Sequence, residues 1–298
     1  MSALSNESFS HYMCVEATLP FSVIAQRLKI RRDLEMNTPA EIAQNYVGIG
    51  RKKTELPIVK MIVLGMLAGM FIGFGAIGFQ IATATIGGNL GKFVGAFLFP
   101  TGLALVLLAG SELFTGNCLL VIPLLEKEAT IAGVLKNWFF VYLGNLIGST
   151  ILAFLLVYGH TPSAIDGALM DTMMATATAK VAISAGDAIF RGILCNIMVC
   201  LAVWMSFAAK TAGGKIAALY LPIVVFVLAG FEHSVANMYY IMAGIFCNGV
   251  YGLGEASVNM GSMFVNNLLP VTIGNIIGGG LVGVTYWFLY LKGAKKNA

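Results

Sequence analysis

The chain has 298 residues, of which 58% are hydrophobic and only 11% are charged, and its mean hydropathy is +0.85. A soluble domain carries roughly 25% charged residues, so this composition excludes a water-soluble globular protein and predicts one that uses lipid as its solvent. The 35 glycines agree, because small residues let membrane helices approach closely. A formal net charge of +4 is too small to indicate a nucleic-acid partner.

Six apolar stretches follow one another along the chain. A helix rises 1.5 Å per residue, so about 20 residues cross a hydrocarbon core of ~30 Å. Residues 38–57, which precede the first stretch, have the pattern of an amphipathic helix that leads into it. The second and fifth stretches are longer than one span requires. The six lie at about 58–84, 94–124, 132–158, 188–208, 216–246 and 268–291.

The basic residues predict the orientation. Six spans place both termini on one side, and of the 18 lysines and arginines only Lys92, Lys180 and Arg191 fall on the other. The positive-inside rule therefore predicts a multi-pass protein of the inner (plasma) membrane with cytoplasmic termini. The expected parts are a cytoplasmic extension at 1–37, a membrane domain at 38–292 and a cytoplasmic tail at 293–298.

The second half of the chain repeats the first. Three pairs of segments match in the same order: GMLAGMFI at 65–72 with GILCNIMV at 192–199, GSELFTGN at 110–117 with GFEHSVAN at 230–237, and LGNLIGS at 143–149 with IGNIIGG at 273–279. Ordered matches at similar offsets indicate an internal repeat. Each repeat has three spans, an odd number, so the second repeat is inverted in the membrane, as is typical of transport proteins.

The two over-long stretches each contain the spacing G-x-E-x4-N. Non-helical backbone at this depth is tolerated only where protein buries it or where it lines a cavity. We therefore expect spans 2 and 5 to be broken at Glu112 and Glu232. Their carboxylates would have a structural role, accepting hydrogen bonds from the freed backbone N–H groups. The two breaks should meet at the midplane and form the site there.

His233 is the one histidine deep in a predicted span, and it lies in the break of the second repeat where the first repeat has Leu113. An ionisable side chain at this depth is costly and indicates function. The alternative is a neutral histidine that only hydrogen-bonds across helices. Thr115, in the opposite break, is placed to bind its ring.

Other polar side chains have two interpretations each. Lys180 either attracts anions or is a solvated loop lysine, and Arg191 either extends outward or pairs with Asp187 four residues earlier. Buried amides tie helices together or face a pore: Asn117, Asn145, Asn196, Asn237 and Asn275. The cysteines have no metal or redox spacing: Cys14, Cys118, Cys195, Cys200 and Cys247. With no nucleotide fingerprint or zinc signature, we expect neither a metal nor a cofactor.

The segments GSELFTGN, GFEHSVANM and LLPVTIGNIIGGG closely resemble the formate/nitrite transporter family, in particular its bacterial formate channels, over about residues 38–292. The resemblance implies an all-α, aquaporin-like membrane protein with six transmembrane helices in two inverted three-helix repeats, helices 2 and 5 being broken. It also implies a homopentamer in lipid with one pore in each protomer. The pathway residues that it implies are the central His233, its hydrogen-bond partner Thr115, the loop residues Leu113 and Phe114, the apolar constrictions Leu103, Leu113 and Phe226, the polar partners Asn196 and Asn275, and the external Lys180.

The function that the resemblance implies is a channel for small monovalent anions of weak acids, most of all formate, with a proton supplied through His233. A histidine suits this role because its reference pKa is about 6.5, and a neutral acid crosses an apolar constriction more easily than its anion. Nitrite and hydrosulfide are alternatives, since Ala182, Ile183 and Ser184 replace the histidine-rich stretch of some formate channels.

Two other classes of function compete with this one. A membrane enzyme would use Glu232 and His233 as an acid–base pair, but the sequence has no metal set, no nucleophile partner and no sizeable soluble domain. A water or glycerol channel would carry an Asn-Pro-Ala motif, which is absent from the sequence.

Overall fold

The computed structural model describes residues 36–293. The predicted extension and tail therefore lie almost wholly outside the described residues, as does Cys14. The described chain has no strand and has ten main helices: α1 Pro39–Glu55, α2 Ile58–Ile86, α3 Gly88–Gly110, α4 Phe114–Leu125, α5 Ile131–Tyr158, α6 Ala168–Val181, α7 Ala185–Ala208, α8 Ala212–Leu228, α9 Ser234–Tyr251 and α10 Met260–Tyr290. Two short 3-10 helices, Thr161–Ser163 and Ile165–Gly167, lie between α5 and α6.

These helices form the six predicted spans. Within the described residues, five helices (α2, α3, α5, α7 and α10) are long and apolar enough to cross a membrane. The shorter α4 continues span 2 after a break at 111–113, and α8 with α9 forms span 5 around a break at 229–233. The prediction of an all-helical fold with spans 2 and 5 broken is thus confirmed.

The predicted amphipathic helix before span 1 is α1. It begins at a capping box, in which the Thr38 hydroxyl accepts from the Glu41 N–H at 3.3 Å and the Glu41 carboxylate accepts from the Thr38 N–H at 2.8 Å. The residue before the cap, Asn37, donates from its backbone and side chain to the carbonyls of Ala208 and Phe207, at 2.9 and 2.8 Å. These bonds hold α1 against the end of α7.

The inverted repeat extends further than the sequence matches indicated. The most extensive helix contacts join α2 to α5 in the first repeat and α7 to α10 in the second. The offset of 127 that aligns α2 with α7 also places α1 on α6, so each repeat is one short helix followed by three spans. Since the repeats are inverted, α1 and α6 lie on opposite faces. The face that carries α1 is called the terminal face below.

Glycine makes the contacts within each repeat close. A Cβ atom on Gly148 of α5 would meet the carbonyl oxygen of Met66 on α2. A Cβ atom on Gly278 of α10 would meet the carbonyl oxygen of Ile193 on α7 in the same way. The backbones are so close at these two positions that only glycine fits between them. Close approach at small residues is common among membrane helices.

The outer surface is suited to lipid. Large apolar side chains point outward from several spans, with Val59 71%, Phe139 64%, Leu221 64% and Leu269 61% exposed. A water-soluble protein rarely exposes so much contiguous apolar surface. The fold therefore buries Glu112, Glu232 and several amides inside and presents hydrocarbon outside.

We expect Gly148→Ala to lower the free energy of unfolding by roughly 1–3 kcal/mol, because the new methyl group forces two backbones apart. The matched control is Gly186→Ala on α7, where a Cβ atom meets nothing within 4 Å. Thermal melting in detergent, followed by size-exclusion chromatography, compares the two variants. Equal melting temperatures would contradict the close packing.

Candidate functional site at the two helix breaks

The break in span 2 is held by one asparagine. Asn145 on α5 accepts a hydrogen bond from the Phe114 N–H at 3.0 Å. Its amide group donates to the carbonyls of Gly65 and Glu112, both at 2.9 Å. The side chain is fully buried, so it replaces the water that these backbone groups cannot reach.

The break in span 5 is held by the equivalent asparagine of the second repeat. Asn275 on α10 accepts from the Ser234 N–H at 2.9 Å. It donates to the carbonyls of Gly192 and Glu232, again at 2.9 Å. Each partner is the repeat equivalent of a partner of the first asparagine, so the two breaks share one design.

A buried ion pair lies beside the first break. The Lys53 ammonium, in the last turn of α1, is 2.7 Å from a carboxylate oxygen of Glu112. The other carboxylate oxygen accepts from the Asn117 amide at 2.7 Å, and that amide also donates to Asn137 at 2.9 Å. Asn137 donates in turn to the Lys53 carbonyl at 3.0 Å, which closes the cluster.

The second break carries the same cluster. Lys180, in the last turn of α6, lies 2.7 Å from Glu232. The Asn237 amide donates to Glu232 at 2.6 Å and to Asn267 at 2.9 Å. Asn267 donates to the Lys180 carbonyl at 2.8 Å. The two clusters thus contain the same ion pair, the same two amides and the same bond to the lysine carbonyl, one cluster on each face.

This arrangement corrects the predicted role of Glu112 and Glu232, whose carboxylates do not bind the freed N–H groups. At each break the asparagine binds one backbone N–H donor and two backbone carbonyl acceptors. An amide both accepts and donates, whereas a carboxylate only accepts. A buried carboxylate also needs a positive partner, and the lysine supplies it.

His233 caps the second half of span 5. Its Nδ1 atom accepts from the Ala236 N–H at 3.1 Å, and its Nε2 atom lies 3.0 Å from the Thr115 hydroxyl oxygen. A backbone N–H can only donate, so Nδ1 carries no hydrogen here. The neutral ring therefore has its hydrogen on Nε2 and donates it to Thr115. His233 is 3% exposed and Thr115 is fully buried.

The breaks separate two vestibules of very different size. The wide vestibule has a volume of about 930 Å³, and His233 lies in its wall together with Lys180 and Phe226. The narrow vestibule, on the terminal face, has a volume of about 40 Å³. Its walls include Tyr46, Lys53, Leu103, Leu113 and Phe207. Leu113 and His233, which are equivalent in the repeats, thus face opposite vestibules.

One aromatic ring stacks on the histidine, and a second supports the first. The Phe226 ring stacks on the His233 ring with centroids 6.0 Å apart and planes at 19°. Phe99, which also lines the wide vestibule, packs its edge against Phe226 at 5.5 Å. The ring of His233 is thereby fixed between an apolar wall and the Thr115 hydroxyl.

The combination of two amide-held breaks, two lysine–carboxylate clusters and a central histidine identifies the kind of protein. Residues 40–288 match the sequence profile of the family described as formate/nitrite transporter. The chain belongs to the formate/nitrite transporter family. It is therefore a multi-pass membrane protein of a channel and transporter family.

Individual relatives agree with this assignment. The chain is 38% identical to the probable formate transporter of Methanothermobacter thermautotrophicus over 275 residues, which is 86% of this chain and 97% of that protein. It is 36% identical to the formate channel FocA of Escherichia coli K12 over 280 residues, 89% and 98% of the two chains. A solved structure described as a pentameric formate channel with formate bound matches with a TM-score of 0.70 at 36% identity, over 78% of this chain and 98% of that one. These relatives are transporters and channels rather than enzymes.

Four of the residues that the family resemblance places on the pathway line neither vestibule: Thr115, Phe114, Asn196 and Asn275. Phe114 packs its edge against Tyr142 on α5, with centroids 4.9 Å apart. Asn196 donates to the carbonyls of Thr115 and Asn275, at 3.2 and 2.6 Å. Asn275 holds the second break, as described above. These contacts of Asn196 and Asn275 join backbone groups at the two breaks.

Sequence reasoning missed Lys53, Asn137 and Asn267. A signal was available, because the offset of 127 carried upstream from the first matched segment pairs Lys53 with Lys180. The offset of 130 carried upstream from the third pairs Asn137 with Asn267. Each residue stands outside a matched segment, where the neighbouring side chains differ between the repeats.

We expect Lys53→Met and Glu112→Gln each to lower the free energy of unfolding by about 2–4 kcal/mol, because each leaves a mostly buried partner unpaired. The double variant should lose at least about 1 kcal/mol less than the sum of the two. Thermal melting of all four proteins measures this coupling. Arg51 is exposed and pairs with Glu55 at 3.6 Å and with Glu128 at 3.4 Å, so it provides the control Arg51→Met, which should cost under about 1 kcal/mol. Strictly additive losses would contradict the ion pair.

Proposed function

We propose that this chain passes small monovalent anions of weak acids, most of all formate, through each protomer together with a proton at His233. The observation that carries the proposal is the buried pair of His233 and Thr115 at the end of a cationic vestibule. The first repeat has Leu113 in place of the histidine, and Leu113 completes an apolar barrier on the other side.

The charges around the wide vestibule support anion entry. Three cationic side chains line it, Lys92, Lys180 and Arg191, against two carboxylates, Asp187 and Glu232. An excess of positive charge in a cleft with apolar walls raises the local concentration of anions. An anion would thus accumulate beside the histidine.

The apolar residues beside and beyond the histidine explain the need for a proton. An unpaired carboxylate anion loses most of its hydration when it passes between side chains such as Leu103, Leu113 and Phe226. The neutral acid does not carry this cost, so protonation at His233 opens a low-energy path. The acid then ionises again in the opposite vestibule.

The hydrogen bonds of His233 define how it would supply that proton. The neutral ring keeps its one hydrogen on Nε2, so it must take up a second proton before it passes one on. Protonation at Nδ1 breaks the bond from the Ala236 N–H, which costs about 1–3 kcal/mol for a buried donor. The charged ring is therefore a short-lived state, formed when an anion stands beside it to accept the proton.

Substrate, assembly and orientation rest on relatives and on charge distribution. The named relatives are described as a probable formate transporter and a formate channel, and one solved relative is described as pentameric. We therefore propose formate as the substrate and a homopentamer as the assembly. The membrane domain would span residues 38–292 of an inner-membrane protein, with the terminal face in the cytoplasm. Nitrite, a planar anion of similar size, and hydrosulfide are the alternatives.

We expect His233→Asn to remove acid stimulation of formate uptake. An asparagine oxygen can still cap α9 and accept from Ala236, so the fold should survive, but the amide cannot carry a proton. In proteoliposomes, wild-type uptake should rise at least about threefold from pH 7 to pH 5, and uptake by the variant should not rise.

The control is His160→Asn, which removes an exposed histidine at a positive φ of 56° that asparagine tolerates. This variant should behave as the wild type does. Full acid stimulation in His233→Asn would contradict the role of the histidine. If the wild type moves nitrite or hydrosulfide but no formate, the choice of substrate is wrong.

A further inference from the structure

Beside the helix breaks, the first repeat has Leu64 where the second has Arg191. The carbonyl of Leu64 accepts from the Glu112 N–H, and the carbonyl of Arg191 accepts from the Glu232 N–H, both at 3.2 Å. Leu64 and Arg191 are therefore structurally equivalent, and in both residues it is the backbone carbonyl that accepts this hydrogen bond. The arginine side chain has no part in that role, so it is free to serve another.

The side chain of Arg191 is exposed and lines the wide vestibule. The predicted ion pair with Asp187 does not form, and within residues 36–293 no carboxylate oxygen lies within 4.0 Å of Arg191. Both carboxylates of the vestibule have other partners. Glu232 binds Lys180 at 2.7 Å, and Asp187 accepts from the Ser184 hydroxyl at 2.9 Å.

The ion pair on Lys180 changes which cation an incoming anion meets. Because Glu232 already neutralises Lys180, much of the attraction must come from Lys92 and Arg191, and of these two only Arg191 has a guanidinium group. A guanidinium group presents paired N–H donors in a planar fork that matches two oxygens on one atom. An ammonium group is a point charge and makes no such distinction.

We propose that Arg191 forms a capture site in the wide vestibule for planar anions with two oxygens, such as formate and nitrite. The site favours them over single-centre anions such as hydrosulfide. This proposal rests on the proposed function, since it concerns the entry of the same substrates. It assigns selection among anions to the vestibule, before the histidine is reached.

The repeat supplies the variants that test it. Arg191→Leu places in the second repeat the residue that the first repeat carries at Leu64, so the fold should tolerate it. Arg191→Lys keeps the charge and removes the fork. Lys60→Leu is the matched control, since Lys60 is an exposed lysine on α2 near the terminal face, and its loss changes the net charge equally.

The experiment measures initial uptake into right-side-out membrane vesicles, which expose the wide vestibule under the proposed orientation. At low ionic strength, Arg191→Leu should raise the half-saturating concentrations of formate and nitrite roughly 3- to 10-fold, with the maximal rate within about twofold of wild type. The difference should fall below about twofold at ~0.5 M salt, because salt screens exposed charges. Lys60→Leu should leave both parameters unchanged.

Hydrosulfide separates the fork from the charge. Arg191→Lys keeps the positive charge, so its hydrosulfide uptake should equal that of the wild type. Its half-saturating formate concentration should stay about 2- to 3-fold above the wild-type value. If Arg191→Lys takes up both formate and hydrosulfide as the wild type does, the proposed role of the guanidinium fork is wrong. An unchanged half-saturating concentration in Arg191→Leu would overturn the capture site, whether or not the maximal rate or the melting temperature falls. Absence of formate uptake by the wild type would instead refute the proposed function.

Discussion

Backbone that leaves a helix inside a bilayer must find its hydrogen-bond partners within the protein, and the site depends on how this chain meets that requirement. Asn145 and Asn275 each bind one freed N–H and two carbonyls. A single neutral side chain thus satisfies each break without placing a charge there. Glu112 and Glu232 are then available to anchor lysines at the two vestibules. Breaks, vestibules and charge pattern all follow from this division between amide and carboxylate.

The inverted repeat builds a symmetric scaffold, and the features assigned to function lie where the symmetry fails. The ion pairs and break-holding amides occur twice with nearly the same distances. Leu113 and His233 occupy equivalent positions but differ completely in chemistry, as do Leu64 and Arg191. A scaffold held by the shared groups can tolerate these differences. Under the proposed function, one half forms the apolar barrier while the other collects anions and exchanges protons.

Much of this architecture could be predicted from the sequence, because membrane depth restricts which residues are allowed. Glycine, carboxylate and asparagine within an apolar stretch indicated each break, and three aligned segments indicated the repeat. The pairing of α1 with α6 was not predicted, since little beyond Lys53 and Lys180 matches between two short amphipathic helices. The roles of Glu112 and Phe114 were also not predicted, because they depend on the direction in which each side chain points. Sequence places a side chain on the chain but does not say whether it faces the vestibule or the helix behind it.

The central claim is that the anion crosses the apolar barrier together with a proton, and the dependence of transport on voltage tests it most directly. Moving one charge across a membrane is worth about 2.3 kcal/mol per 100 mV, which is roughly a 50-fold change in equilibrium accumulation. Formate accumulation in wild-type proteoliposomes should be measured at imposed potentials of about +100 and −100 mV with equal pH on both sides. Equal accumulation at the two potentials is the result that the account predicts. Accumulation that follows the potential would show that formate crosses as a bare anion.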